Sequence, residues 1–131
     1  MKKLLFLLLI SGGLLVASCT KRYDVVQPNQ TVYADLKTTD WTTTDTSKNY
    51  TSIITPQPGS SFGAGSNGIL IYFTFDGGKT YEQIPETYNN VAYSYTYTNG
   101  TIVLYAQSAN GAQVIAAPPA LTAKIVLVSS N

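Results

Sequence analysis

Apolar positions form two kinds of pattern along the chain. Residues 4–10 are a continuous apolar run after Lys2 and Lys3, and the apolar character continues to Val16. From residue 31 onward the apolar residues fall in short β-branched and aromatic runs, separated by Gly, Pro and Asn. Such runs predict β-strands, and no window has the i, i+3, i+4, i+7 spacing of an amphipathic helix. The strands are expected at 31–36, 41–44, 49–55, 68–76, 79–84, 91–98, 101–107 and 121–129.

The number and spacing of these strands predict the fold class. Short strands with a turn signal about every ten residues are typical of antiparallel sandwiches and barrels. We therefore expect an all-β domain over 31–131, an antiparallel β-sandwich of seven to eight strands that is immunoglobulin-like or jelly-roll-like. The last strand has Ile125 and Leu127 on one face and Val126 and Val128 on the other. Apolar residues on both faces favour a central position in a sheet.

One hairpin can be assigned a register from the sequence. Asn99-Gly100 lies between two β runs, which predicts a two-residue type I′ turn and fixes the pairing of the strands around it. The opposite face of the hairpin, which includes Tyr105, is small and polar. A row of tyrosines could be a stacking platform for sugars, but its aliphatic cross-strand partners favour a place in the core. The hairpin face that contains this tyrosine row consists of Val91, Tyr93, Tyr95, Tyr97, Ile102, Leu104 and Ala106.

Composition removes several functions. Without Lys2 and Lys3, six of the eight basic residues remain against seven acidic ones, and no basic stripe is present. Nucleic acid is therefore a poor candidate partner. The chain has no histidine, which removes His-based catalytic triads, most zinc sites and the commonest general base. We expect no metal and no cofactor.

The segment after the first apolar run ends in small residues before a cysteine, Val-Ala-Ser-Cys at residues 16–19. It resembles the lipobox of bacterial lipoproteins, in which the thiol is acylated and the chain is cut before the cysteine. The resemblance implies a signal peptide over 1–18, lipid on Cys19 and a tether over 19–30. Two or three acyl chains on one residue give stable membrane anchoring.

Length and cysteine usage support this interpretation. The apolar run is shorter than the roughly 20 residues of a transmembrane helix. Cys19 is the only cysteine, so it has no internal disulfide partner. Thr20 stands after it in place of Asp, which by family analogy implies the outer membrane of a Gram-negative bacterium. The alternative is an ordinary secretory signal with an incidental cysteine.

A second motif lies at residues 74–81, Thr-Phe-Asp-Gly-Gly-Lys-Thr-Tyr. It resembles the Asp-box, a hairpin turn that recurs once per blade in sialidase-like propellers. The resemblance implies that Asp76 accepts backbone N–H groups, that Gly78 permits the turn, and that the aromatic residue Tyr81 packs inward. We find one copy and no internal repeat, which excludes a propeller. Asp76 is therefore expected to form a turn, not to catalyse.

The carboxylates give no catalytic pattern. A glycosidase needs two of them across a cleft, and Glu82 and Glu86 are the candidates, with Asp76 nearby. Glu86 follows Pro85 and is expected to begin a loop, and nothing in the sequence places the pair face to face. We expect both to be solvated surface groups, and we expect the protein not to be an enzyme.

The mature domain also resembles small lipoproteins of Gram-negative bacteria, a resemblance that implies no activity. It rests on residues 26–33, 68–72, 81–85 and 124–128. We therefore expect a non-enzymatic structural or interaction module of the cell envelope, held to the membrane through Cys19, with an envelope protein or a glycan as partner. The alternative is a carbohydrate- or peptide-binding module that uses exposed aromatic residues. Candidates are Tyr88, Tyr105 and Trp41, the last of which is more readily explained as a core anchor.

Overall fold

The computed structural model describes residues 29–55, 68–98 and 100–128. These residues form eight strands in two antiparallel four-stranded sheets, so the predicted all-β sandwich is confirmed. The lipobox, with Cys19, lies outside the described residues. Within them, no helix is long and apolar enough to span a membrane. The strands are β1 (Gln30–Leu36), β2 (Asn49–Ile54), β3 (Gly68–Thr74), β4 (Glu82–Ile84), β5 (Glu86–Tyr88), β6 (Val91–Thr98), β7 (Thr101–Ser108) and β8 (Leu121–Val128).

Four of the seven pairs of successive strands are divided between the two sheets. The first sheet has the order β1-β8-β3-β4 and the second has the order β2-β7-β6-β5. β8 lies between β1 and β3, so its predicted central position is confirmed. The chain passes from the first sheet to the second between β4 and β5, at Pro85. This crossing closes one side of the sandwich.

Three predicted elements differ from the structure. In place of a strand at 41–44, a short 3-10 helix (Thr38–Asp40) precedes an isolated bridge between Thr42 and Thr51. The strand predicted at 79–84 is shortened to Glu82–Ile84. The strand Glu86–Tyr88 was expected as a loop. It is only three residues long, and it exists because it pairs with β6 across a tight turn whose two asparagines adopt positive φ.

The hairpin of β6 and β7 has the predicted register. Tyr93, Tyr95 and Tyr97 lie opposite Ala106, Leu104 and Ile102, and the three aliphatic partners are fully buried. Gly100 has a φ of 81°, and Asn99 lies outside the described residues. The expectation that this tyrosine row belongs to the core is confirmed.

Two of these tyrosines contact the first sheet, Tyr93 through the Phe73 ring, which it meets edge-on at 5.5 Å between centroids. The Tyr95 hydroxyl donates a 2.7 Å hydrogen bond to the backbone carbonyl of Ile69 in the first sheet. Burial, followed by the negative charge of Glu86, raises the pKa of Tyr93 to about 12. The Tyr93 hydroxyl therefore stays protonated at any physiological pH.

Trp41 lies in the core that the two sheets enclose. It is 5% exposed, and its ring meets the Tyr93 ring edge-on at 6.4 Å between centroids. The core-anchor interpretation is confirmed, and the proposal of Trp41 as a ligand platform is wrong because its ring is covered. The other buried apolar residues are Leu36, Tyr50, Ile71, Phe73, Ile84, Tyr93, Ile102, Leu104, Ala106, Leu121, Ala123, Ile125 and Leu127.

Candidate functional site

The outer face of the first sheet carries a row of aromatic residues. The register places Tyr33, Lys124, Tyr72 and Gln83 side by side on β1, β8, β3 and β4. Tyr33 is 57% exposed and Tyr72 is half-buried. Tyr81, just before β4, is 38% exposed. We call Tyr33, Tyr72, Tyr81 and Lys124 the tyrosine face.

Strand alternation explains why these side chains point outward. Successive side chains of a strand point to opposite faces. Tyr72 lies between the buried Ile71 and Phe73, and Lys124 lies between the buried Ala123 and Ile125. Neighbouring strands are about 4.8 Å apart, so Tyr33 and Tyr72, with one strand between them, are separated by roughly 10 Å.

Lys124 holds two of the rings in place. Its Nζ lies 5.7 Å from the Tyr72 ring centroid and 5.3 Å from that of Tyr81, within the range of cation–π attraction. The next row of the sheet pairs the half-buried Leu70 with Val126. The face is therefore aromatic at its centre and apolar on one side. Ordered rings lose less conformational entropy when a ligand binds.

The Asp76 turn builds the end of this face. The Asp76 Oδ1 accepts the N–H groups of Lys79 at 3.0 Å and Thr80 at 2.9 Å, and the Thr74 hydroxyl at 2.9 Å. The Gly78 N–H donates to Thr74 Oγ1 at 2.9 Å. These bonds, above all the backbone bond from Thr80, lower the pKa of Asp76 to about 2. They also keep residues 79–81 out of β4, which is why that strand is short.

The aromatic residue of this motif does not pack inward as expected. Gly78 has a φ of 91°, and the Tyr81 hydroxyl lies 3.2 Å from the point where a Cβ on Gly78 would stand. Because Gly78 has no side chain, Tyr81 folds back over the turn and reaches Lys124. The expected inward packing is wrong for this copy.

The same turn occurs a second time, so the expectation of a single copy is wrong. Residues 43–50, Thr-Thr-Asp-Thr-Ser-Lys-Asn-Tyr, repeat the hydrogen bonds of 74–81. Asp45 Oδ1 accepts the Asn49 N–H at 2.9 Å and the Thr43 hydroxyl at 3.2 Å, and the Ser47 N–H donates to Thr43 Oγ1 at 3.2 Å. Desolvation opposes ionisation, but hydrogen bonds from Asn49 and Thr43 hold the pKa of Asp45 below its ordinary value. Serine and asparagine replace the glycine and threonine of the motif, and this hid the copy in the sequence.

The candidate residues Tyr88 and Tyr105 lie apart from this face and from each other. One side of the Tyr88 ring is covered by Phe75, which stacks on it at 4.5 Å. Tyr88 lines cavities of about 210 and 360 Å³ at the end of the sandwich. Tyr105 is half-buried on the outer face of the second sheet, with its hydroxyl 3.3 Å from Thr96 Oγ1. The structure does not bring Trp41, Tyr88 and Tyr105 together.

Glu82 and Glu86 are not separate surface groups, so that expectation is wrong. They lie on β4 and β5 on either side of Pro85, and both are half-buried. Burial raises the pKa of Glu86, and the charge of Glu82 and a hydrogen bond between the two carboxyls raise it further. Glu86 Oε1 is buried without a hydrogen-bond partner among the described residues, whereas Glu82 lines the cavity of about 210 Å³ beside Tyr88.

The described residues contain no group of three or more carboxylates, cysteines or histidines placed to hold a metal ion. Tyr33 and Tyr72 could not be grouped from the sequence, because β8 brings β1 and β3 together by pairing between residues far apart in the chain. The sequence identifies Tyr81 only as the aromatic residue of the Asp76 turn. No family model, no curated protein and no solved structure matches this chain.

Proposed function

We propose that this protein is a lipid-anchored, non-enzymatic binding module of the bacterial cell envelope, and that its tyrosine face binds a glycan. The observation that carries the proposal is the outward-facing row of Tyr33, Lys124 and Tyr72 with Tyr81 beside it, in which Tyr33 and Tyr81 are exposed and Tyr72 is half-buried. Exposed patches of this kind mark interaction sites. Tyr33, at 57%, is the most exposed of the large hydrophobic side chains in this row, and Tyr81 follows at 38%.

The chemistry of the face fits a sugar polymer. The C–H groups on the faces of sugar rings stack on aromatic rings, while their hydroxyls need hydrogen-bonding partners. Tyrosine supplies an apolar ring with a polar tip, and the side chains of Lys124 and Gln83 lie in the same row. The separation of Tyr33 and Tyr72, roughly 10 Å, is comparable to that of alternate rings in an extended β-linked glycan.

The shape of the face favours a polymer over a small molecule. Sites for small ligands are concave and enclose most of the ligand. The tyrosine face is the surface of a sheet. The cavity of about 360 Å³ near Tyr88 is lined by residues within 88–93 and 113–119, and the cavity of about 210 Å³ borders the Asp76 turn at the end of the face. A sheet surface contacts an extended chain along its length, one sugar ring at each aromatic residue.

The anchor rests on the lipobox-like segment that ends at Cys19. Lipid there, and a tether of about ten residues with a reach on the order of 20 Å, would hold the sandwich close to the membrane surface. We propose the outer membrane of a Gram-negative bacterium. Cys19→Ser should abolish the incorporation of labelled palmitate, and equal label in the parent and the variant would contradict the anchor.

The absence of catalysis is also part of the proposal. Asp76 uses its carboxylate to close a turn. Glu86 Oε1 is buried without a hydrogen-bond partner among the described residues, so the two glutamates do not both face an open cleft. The chain has no histidine to act as a general base.

Glycan binding can be tested by co-sedimentation of the detergent-solubilised full chain with cellulose, chitin, xylan and peptidoglycan. We expect one of these to retain the protein. Tyr33→Ala and Tyr72→Ala should each weaken retention at least about fivefold, since loss of an aromatic anchor costs about 1 kcal/mol or more. Tyr105→Ala, on the opposite outer face, is the matched control. An equal loss in Tyr105→Ala, or no retention by any of these glycans, would contradict the proposal.

A further inference from the structure

The sheet edges are protected very unequally. β4 and β5 are three residues long, and each carries a half-buried glutamate, Glu82 or Glu86. Short edges and inward-pointing charges prevent pairing with another chain. The free edge of β2 is occupied at Thr51, which exchanges backbone hydrogen bonds of 2.8 and 2.9 Å with Thr42. No comparable protection is found at β1 among the described residues.

β1 is a long edge strand. It has seven residues and pairs with β8 on one side, and no described residue pairs with it on the other. Val32 points to the core side, opposite the buried Ile125, yet it is 38% exposed. A groove of about 520 Å³ runs beside this edge, lined by Ala34, Leu36 and residues of β2. The described part of the chain thus leaves both backbone groups and apolar side chains of this edge uncovered.

We propose that β1 pairs with β1 of a second copy of this chain. The two strands run antiparallel about a two-fold axis at Tyr33, and the first sheets of two molecules become one continuous sheet of eight strands. The choice of a second copy as the partner rests on the proposed anchor and tyrosine face, whereas the cross-linking test below measures the pairing without any glycan. Residue pairing across the axis follows from the sequence of β1: Gln30 opposite Leu36, Thr31 opposite Asp35, Val32 opposite Ala34, and Tyr33 opposite Tyr33.

The sequence of β1 is self-complementary in this register. Val32 and Ala34 cover each other on the core side, and the two Tyr33 rings meet on the outer side, where aromatic cross-strand pairs are favourable. Asp35 faces the Thr31 hydroxyl, so no like charges are opposed. A slip of one residue would place core-side residues opposite outer ones. Centring the pair on Val32 or Ala34 would reduce the overlap from seven residues to five.

A second copy is favoured over an unrelated peptide because the pairing also joins two tyrosine faces. The outer row then runs from Tyr72 through Lys124 and Tyr33 of one molecule into the same residues of the other. Both copies are held at one membrane surface in the proposed arrangement, which raises their effective concentration. A peptide from another protein would complete the edge without extending this row.

Cysteine cross-linking tests the axis directly. Residues opposite each other in antiparallel strands have Cα atoms about 4.5–5.5 Å apart, which a disulfide can span. We expect Tyr33→Cys in the full chain, in membranes under mild oxidation, to give a covalent dimer on a non-reducing gel. In Thr31→Cys the two new thiols would be separated by four residues, roughly 13 Å, and no dimer should form. The parent chain controls for links through Cys19.

Each cross-linking result either supports or overturns the proposed pairing. If Tyr33→Cys gives no more dimer than Thr31→Cys or the parent, the proposal is overturned. Such a result would mean that the molecules collide at random or that another partner occupies the edge. A Thr31→Cys/Asp35→Cys double variant should restore cross-linking if the register is right. Val32→Lys, added to Tyr33→Cys, should lower the dimer yield several-fold by placing a charge on the core side, whereas Thr101→Lys on the second sheet should not. An unchanged yield with Val32→Lys also overturns the proposal.

Discussion

The two Asp turns have the same hydrogen bonds, but one places its aromatic residue in the core and the other places it on the surface. The hairpin of 43–50 is flanked by the pair Thr42 and Thr51, and that of 74–81 is flanked by Phe73 and Glu82, at the same separation along the chain. Tyr50, the aromatic residue of the first turn, is 8% exposed, while Tyr81 in the second is 38% exposed. One contributes to the core and the other to the tyrosine face.

The strand pairs that flank the two turns explain this difference. Thr51 lies opposite Tyr105 on the outer face of the second sheet, so Tyr50 just before it points to the core, opposite Ala106. Glu82 lies opposite the buried Phe73, so Tyr81 just before it points outward. Gly78 then leaves room for the Tyr81 ring over the turn, with the hydroxyl 3.2 Å from where a Cβ would stand. The same turn therefore yields a core or a surface side chain according to the strand pair that flanks it.

The largest expected effect comes from truncating the two tyrosines. Tyr50→Ala removes a buried ring and should lower the free energy of unfolding by about 3–5 kcal/mol. Tyr81→Ala removes an exposed ring and should change it by about 0.5 kcal/mol or less, as at ordinary surface sites. Urea denaturation of the two variants measures both. Equal losses would contradict the different placement of the two rings.

An intermediate effect is expected when the small residues are exchanged. Gly78→Ser places a side chain at a positive φ, which costs about 1–2 kcal/mol, and displaces Tyr81 from Lys124. Glycan retention should then fall as far as it does in Tyr81→Ala. The reciprocal change, Ser47→Gly, relieves strain of the same kind and should leave retention unchanged. If Gly78→Ser retains glycan as well as the parent, the fold-back of Tyr81 does not depend on Gly78.

The smallest effect concerns the pH dependence of the turns. The pKa of Asp76 is lowered from 3.8 to about 2 in the folded protein, so its ionised form stabilises the fold. That contribution is complete above pH 3.8 and is lost as the pH falls towards 2. Thermal unfolding at pH 7 and at pH 2 should therefore show a gap between the parent and Asp76→Asn that narrows in acid.

Asp45 is the matched position for this measurement. Its pKa is also lowered, so Asp45→Asn should show the same direction of change. A gap for Asp76→Asn that stays constant or widens in acid would show that its carboxylate does not stabilise the turn in the ionised form.

Local signals in the sequence predicted much of the fold. The Asn99-Gly100 turn and strict alternation gave the register of β6 and β7, because turn type and side-chain period fix a hairpin without tertiary information. The two apolar faces of β8 gave its central position. The strand predicted at 41–44 was wrong. Trp41 is buried by the sheets around it, but within this segment only Thr42 forms a backbone pair, with Thr51.

The candidate site could not be predicted from the sequence, for a physical reason. Tyr33, Tyr72 and Lys124 share a row because β1 and β3 flank β8, and a pattern within one strand carries no information about which strands are neighbours. Glu82 and Glu86 likewise lie on edge strands of different sheets because the chain changes sheet at Pro85. The second Asp turn was hidden because Thr46 and Ser47 adopt a positive φ that glycine usually supplies.

The most direct test of the tyrosine face is a map of tyrosine accessibility with and without glycan. The full chain is nitrated with tetranitromethane, alone and with the glycan that retains it, and each tyrosine is quantified by mass spectrometry. We predict that Tyr33 and Tyr81 react in the free protein and are protected by the glycan, while Tyr88 and Tyr105 are unaffected. Protection of Tyr88 or Tyr105 with Tyr33 and Tyr81 still reactive would contradict the assignment of the tyrosine face as the binding surface.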